Sequence, residues 1–307
     1  MTLAVVDVGS NSVLLTVCRR NQEGGWDEVL ETSRVTGLGR GVAQTGELSG
    51  DGMTDTLAAL SQAFTDARRA GADRTVAAAT MAARMASNVA EFQARAEAQA
   101  TPVEILSGER EAELGFRAVA DDPLFSECTR LSIIDPGGQS TELVTAERAT
   151  AGWDLRFRRS FLIGTLQLRG SLLSEEAPDG PTRMAALRQL DQTIGLEYLP
   201  HAAGTAVVLG ATGTNLITIR EQMTTWDSER VHGAILDYEE VGRAVGWLCG
   251  MTDRERAAIV GMEPGREGTI HIGSLILERF MYALHVLEIR VSVRGWRHAL
   301  LAEIALS

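Results

Sequence analysis

The sequence contains no lysine: all 29 of its basic residues are arginine, set against 41 aspartates and glutamates. A high-GC genome is the plain explanation of that bias. Its physical consequence is that every basic contact is a planar guanidinium, able to grip a phosphate or carboxylate through two hydrogen bonds. The formal net charge of −12 excludes general binding to nucleic acid or to a membrane surface, which needs a broad basic face. Cysteine is scarce as well. Cys18, Cys128 and Cys249 are odd in number and far apart, with no C-x-x-C and no His at ligand spacing. The expected compartment is therefore a reducing one, the cytoplasm. No apolar run reaches the roughly eighteen residues of a membrane span. The apolar N-terminus "MTLAVVDVGSNSVLLTV" lacks a basic n-region and is interrupted by Asp7, which argues against a signal peptide. The five histidines are scattered, and none forms a zinc-ligand pair.

What is present is α/β alternation over 307 residues, a length that suits two domains. "LAVV" at 3–6 and "VLLTVC" at 13–18 predict a hairpin around "DVGSNS", with a third strand at 26–35. Helical periodicity follows from about Gly52 to Ala70, with Leu57, Leu60, Phe64 and Ala67 on one face. Strands are expected at 75–80 and 102–107. Helices are expected after a Ser87 or Asn88 cap and across "GEREAELGFRAVAD". The second half repeats the theme: "RLSII" runs into "DPGGQS", then into "TELVTAER" and "WDLRFRRSFLI", with helices at 181–195, 238–249, 253–260 and 268–287. Apolar strand, Asp-x-Gly, small polar residues and strand thus occur at 4–17 and again at 131–144. Two copies about one domain length apart predict a duplicated α/β unit with a cleft between the copies. The division is placed in the Pro-containing "ADDPLFSE", giving domains 1–124 and 125–307; the C-terminal helix, about 297–307, is free to pack back on the first domain.

A glycine directly after a strand lets the chain turn tightly and brings backbone N–H groups close to an anion. Ser10, Asn11 and Ser12 in one loop, and Ser140 and Thr141 in the other, add short donors. Asp7 and Asp135 leave the two strand ends at matching positions. Carboxylates facing a phosphate repel it unless a divalent cation lies between them, so the pair implies a magnesium-bridged phosphate. Taken singly, each loop reads equally well as a strand-ending turn whose aspartate caps local backbone.

Seven segments, in order, resemble the exopolyphosphatase and guanosine pentaphosphate phosphohydrolase family of the actin, Hsp70 and sugar-kinase superfamily: "VVDVGSNSVLLTV" at 5–17, "GLGRGV" at 37–42, "ATMAARMASN" at 79–88, "LSGEREAEL" at 106–114, "DPGGQSTE" at 135–142, "IGTLQL" at 163–168 and "GATGTNL" at 210–216. The resemblance implies two RNase H-like (actin-like) domains with the active site in the cleft between them. It makes Glu111 the catalytic carboxylate that orients or deprotonates the attacking water, and Arg84 the arginine that grips phosphate. It assigns Asp135, Glu142 and Asp7 to a metal, Mg2+ with Mn2+ as the alternative. Ser10, Asn11, Ser12, Gly137, Gly138, Gln139 and Ser140 fall in the phosphate loops, and Arg40 of "GLGRGV" is a further substrate contact. "GATGTNL" corresponds to the nucleotide-side loop of the superfamily. On the residues alone, Glu111 also suits a helix first turn, and Arg84 and Arg40 suit solvated positions.

The chain departs from the family pattern in three places. Pro136 and Gln139 stand where the second loop is usually Gly-rich, and a glutamine disfavours the positive φ that glycine allows. Gly268, in "GREGTIHIG", stands where the family often has an acid, and "SVRGWRHAL" lacks the acid that commonly follows the serine. The expected function is a magnesium-dependent phosphohydrolase that releases terminal orthophosphate from inorganic polyphosphate. The alternatives are hydrolysis of guanosine pentaphosphate, an activity of the stringent response, and a non-hydrolysing phosphate or nucleotide sensor on the same scaffold. Either polyanion is then the partner, and a homodimer is compatible with this reading.

Overall fold

The computed structural model describes residues 1–22, 25–195 and 204–306; Ser307, the end of the expected C-terminal helix, lies outside them. Two compact units appear: Met1–Leu114 together with the segment from Trp296 onward, and Gly115–Gly295. The division thus falls inside the helix Gly108–Ala120 rather than in the Pro-containing segment after it. No described helix is long and apolar enough to cross a membrane.

The first unit is built on β1 (Thr2–Val8), β2 (Ser12–Arg20), β3 (Trp26–Val35), β4 (Arg74–Ala79) and β5 (Val103–Ile105), in the order β3-β2-β1-β4-β5. The second carries β6 (Arg130–Pro136), β7 (Thr141–Ala149), β8 (Gly152–Phe161), β9 (Thr205–Val208), β10 (Ile235–Asp237) and β11 (Glu288–Val291), ordered β10-β11-β9-β6-β7-β8. In each sheet three antiparallel strands lead, and a parallel strand then joins the other side of the first. The duplication legible at 4–17 and 131–144 therefore extends to a third strand and a fourth. It extends even to an irregularity, which falls between Val17 and Cys18 and between Thr145 and Ala146, at the same spacing from the aspartate in both copies.

Local sequence explains the roles. β1 and β6 are central strands, buried on both faces, and read as largely apolar runs, broken in β6 by Ser132, that lead into Asp7 and Asp135. β3 and β8 are outer strands and carry several exposed charges, among them Asp27, Glu28 and Arg34 on β3 and Asp154, Arg156 and Arg158 on β8, which protect an edge from further pairing. The helix Gly50–Arg69 opens on Ser49, whose side chain accepts from the Gly52 N–H, and buries Met53, Leu57, Leu60, Phe64 and Ala67 at helical spacing. Each unit has its own apolar cluster, around Leu15, Leu60 and Phe92 in the first and around Ile134, Leu143 and Phe280 in the second.

Some expectations were displaced. Asn88 precedes the helix Val89–Ala98 without capping it: its amide donates to Leu48 O at 3.0 Å and accepts from Leu48 N–H at 2.8 Å. The expected helix 268–287 is Ile270–Ala283, because its last residues turn into β11. β10, β11 and the helices Met81–Met85 and Thr165–Arg169 are too short to show a period.

Candidate active site

In the first unit Asp7 is the penultimate residue of β1, opposite Leu14 of β2 and beside Ala78 of β4. The Gly9 N–H donates to Ser12 O at 2.9 Å and closes the loop. Ser10, Asn11 and Ser12 are all buried. "TGLG" clamps this loop from outside: the N–H groups of Thr36 and Gly37 both reach Asn11 O at 2.9 Å, and that of Gly39 reaches Ser10 O at 2.7 Å. Gly37 has φ 69°, and the Arg40 side chain folds over it while remaining exposed. The family motif "GLGRGV" is thus a backbone brace first, with Arg40 at its rim.

Asp7 is the electrostatic centre of this unit. Its Oδ1 is buried and has no hydrogen-bond partner. Burial pushes its carboxyl up from 3.8 to about 7, against the Arg297 guanidinium and a hydrogen bond with the Trp296 side chain, which both pull it down. Both residues belong to the C-terminal helix Trp296–Ile304, which packs on β1. Arg297 is itself buried, donating from Nε to Thr16 Oγ1 at 2.7 Å and pairing with Glu31.

Arg84 and Glu111 are brought together. Arg84 follows β4 in the helix Met81–Met85, and Glu111 lies in the first turn of Gly108–Ala120. The Arg84 Nη1 donates to Glu111 Oε2 at 2.7 Å and to Leu106 O at 2.8 Å; the two side chains are only 17% and 13% exposed. The arginine expected to grip phosphate therefore also aims the expected catalytic carboxylate. Glu113 lies in an exposed ion pair with Arg110 on the outer face of that helix.

The second unit repeats the loop. Gly137 N–H donates to Ser140 O at 2.8 Å, and Asp135 stands directly opposite Glu142 in the ladder. Directly opposed carboxylates repel. Glu142 Oε1 accepts from Ser140 Oγ at 2.8 Å and Ser160 Oγ at 2.7 Å. "IGTLQL" is the brace here. The Thr165 N–H reaches Gly137 O at 3.0 Å, the N–H groups of Leu166 and Gln167 reach Gly138 O at 2.7 and 3.1 Å, and Thr141 Oγ1 donates to Ile163 O at 2.7 Å. "GATGTNL" begins the helix Gly210–Arg220. Gly210, with φ 75°, lies so close to Asp135 that a Cβ there would sit 3.1 Å from Oδ1.

The departures now have physical accounts. None of Gly137, Gly138 and Gln139 has a positive φ, so a glutamine costs this loop no strain. Glycine is needed for space instead: a Cβ on Gly137 would meet Ser140 O at 2.9 Å. Gln139 occupies the place that Asn11 holds in the first loop, and both are buried. Pro136 ends β6, where a missing N–H costs at most one ladder bond. Gly268 faces a carboxylate from another segment, its would-be Cβ lying 3.6 Å from Asp253 Oδ2. The closest approach in the brace is at Gly164, where a Cβ would lie 2.4 Å from Gln139 N and C and from Gly138 O. Gly164→Ala is expected to destabilise the protein by about 1–3 kcal/mol and to weaken substrate binding, checked by thermal unfolding and KM.

Residues 17–307 match the profile of the Ppx/GppA phosphatase family. The chain belongs to that family. Exopolyphosphatase 2 of Mycobacterium tuberculosis is 28% identical over 288 residues, which cover 90% of this chain and 88% of that one. A Ppx/GppA family member from Aquifex aeolicus aligns over 100% of this chain and 98% of its own, at 27% identity and a TM-score of 0.80. An exopolyphosphatase from Cytophaga hutchinsonii shares the fold, with a TM-score of 0.87 at 22% identity and 99% and 97% coverage. The two duplicated α/β units are thus the two actin-like domains of a Ppx/GppA phosphohydrolase.

Sequence reasoning missed Ser160, Trp296 and Arg297 of this Ppx/GppA chain. The β7–β8 register sets Ser160 opposite Glu142, and no local pattern fixes that register. No local pattern ties Trp296 to Asp7.

Proposed function

We propose that this Ppx/GppA chain hydrolyses inorganic polyphosphate from its end, releasing orthophosphate. The observation that carries the reading is the Arg84–Glu111 pair, a carboxylate fixed in orientation by a guanidinium in a largely buried setting. Such a carboxylate can hold a water in line with a phosphorus atom and take its proton as the new P–O bond forms. The bridging P–O bond breaks, and the shortened chain leaves with the electron pair. Each unit offers one candidate phosphate loop, with a matching closing hydrogen bond and brace: Ser10, Asn11 and Ser12 in the first, and Gly137, Gly138, Gln139 and Ser140 in the second, where the Gly137 N–H closes the loop and the Ser140 hydroxyl is held by Glu142. Arg84 neutralises charge on the transferred group and Arg40 supports the rim. The Mycobacterium tuberculosis relative, named for this activity, supports the choice of substrate.

Magnesium is the cofactor that the donors suit. Asp7 presents a buried, partnerless Oδ1, and Asp135 and Glu142 face each other across a ladder. In each unit the donors are carboxylate oxygens, the type a hard cation that keeps several waters takes, with manganese as the alternative. When bound, the cation neutralises phosphate oxygens and lowers the charge barrier to attack.

Guanosine pentaphosphate as substrate would call on the same residues, and a sensor would bind without turnover. One assay separates these readings. The purified chain with magnesium is given long-chain polyphosphate, short-chain polyphosphate, guanosine pentaphosphate or ATP, and released orthophosphate is measured. Release chiefly from polyphosphate is expected; release only from the pentaphosphate would shift the substrate, and release from none would leave the sensor.

A further inference from the structure

Arg256 is wholly buried, yet its guanidinium is saturated. Nε donates to Glu267 O at 2.5 Å, Nη1 to Leu248 O and Met251 O at 2.7 Å each, and Nη2 to Glu176 O at 3.0 Å and to the Asp253 carboxylate. The other Asp253 oxygen, Oδ2, accepts from Arg169 Nη2 at 2.8 Å, while Arg169 Nη1 donates to Glu175 O at 2.7 Å. The Asp253 N–H is fixed to Glu176 Oε2 at 3.1 Å. His271 is buried near these groups. Its pKa is pushed down to about 3, first by burial and then by Arg256 and Arg169, so it stays neutral and adds no charge to the cluster at ordinary pH. One aspartate is thus shared by two arginines.

The position of Arg169 gives the cluster a consequence. Arg169 is the last residue of the helix Thr165–Arg169, whose first N–H groups hold the carbonyls of Gly137 and Gly138. Gly164, just before that helix, presses on the backbone of Gln139. A five-residue helix has little stability of its own: burial of Leu166 and Leu168 holds its body, and what fixes its two ends sets where those ends stand. The loop lies at one end. At the other, Arg169 is tied to Asp253, which buried Arg256 in turn ties to four backbone carbonyls in three segments.

We infer that Arg169 and Asp253 are positioning residues for the second phosphate loop, acting through the helix Thr165–Arg169 on the carbonyls of Gly137 and Gly138. The inference rests on reading that loop as a phosphate site. Neither residue touches phosphate. Their effect is on where the loop's N–H groups stand, and small displacements of such donors are costly to binding and catalysis.

The test uses the full chain with magnesium and short-chain polyphosphate, and follows KM, kcat and Tm together. Arg169→Gln and Asp253→Asn are each expected to raise KM about three- to tenfold with a smaller change in kcat, and Arg169→Lys to recover part of the loss. Because both substitutions cut the Arg169–Asp253 link, the double variant should raise KM no further than the worse single one. Leu190→Ala, a core truncation in the same unit, should lower Tm and leave KM unchanged. Asp253→Asn removes the carboxylate that pairs with buried Arg256; if it fails to fold, Arg169→Gln decides alone. If Arg169→Gln behaves like Leu190→Ala, lowering Tm with KM intact, the inference is overturned. Ser140→Ala separates the two levels. Should it raise KM while Arg169→Gln does not, the positioning role falls and the loop reading stands. Should neither raise KM, both fall.

Discussion

Replacing Glu111 by glutamine is expected to lower kcat by about two to four orders of magnitude, the usual worth of a general base, with KM changed far less. Glutamine keeps the side-chain length and an amide oxygen to accept from Arg84 Nη1, which now lies 2.7 Å from Oε2. It removes the negative charge and the basicity that water activation needs. Alanine is the poorer probe, since it leaves a guanidinium only 17% exposed without its carboxylate and mixes loss of chemistry with a local rearrangement. Single-turnover release of orthophosphate, with Tm measured in parallel, checks the expectation. A glutamine variant that folds normally and turns over within about tenfold of the native rate would remove Glu111 from the chemical step.

The parts of this protein legible in its sequence are those whose causes are local. Asp7 and Asp135 each follow a largely apolar run and stand two residues before a glycine, so strand, turn and strand could be read twice, and the repeat implied a duplicated domain. What could not be read depends on residues far apart in the chain. The bond from Ser160 to Glu142 requires the register of two hairpin strands and the irregularity between Thr145 and Ala146. The partnership of Trp296 with Asp7 joins opposite ends of the chain. Glutamine at 139 looked like an obstacle because glycine-rich loops suggest positive φ. The loop in fact uses glycine to let backbones approach, and the tightest approach is made by Gly164 from another motif. Asn88 illustrates a competition that propensity cannot decide: a cap residue is spent on Leu48, forty residues away, where both of its amide groups find partners.

Asp7→Asn is expected to make the protein less active and, without divalent cation, more stable. The carboxyl's pKa in the folded protein is raised from 3.8 to about 7, chiefly by burial. A raised acid contributes stability that is fully present below 3.8 and is lost as pH rises through 7. At pH 8 the cation-free fold therefore holds an ionised carboxylate with one oxygen, Oδ1, buried and unpaired. Asparagine removes that charge. After discounting for the partial exposure of Asp7, the gain should be about 1–2 kcal/mol at pH 8, or roughly 2–4 °C in Tm, shrinking as pH falls towards 4. Magnesium should raise the Tm of the native protein at pH 8 and leave the variant nearly unmoved, because a cation that binds the folded form stabilises it only where its ligand is charged. Activity should fall by about two to three orders of magnitude, the scale of losing one preorganised electrostatic contact. Melting curves from pH 4 to 8, with and without magnesium, decide the matter. A variant that melts below the cation-free native protein at pH 8 would show that Trp296 and Arg297 already offset the burial of Asp7. A variant that keeps the full magnesium shift would place the cation on other carboxylates.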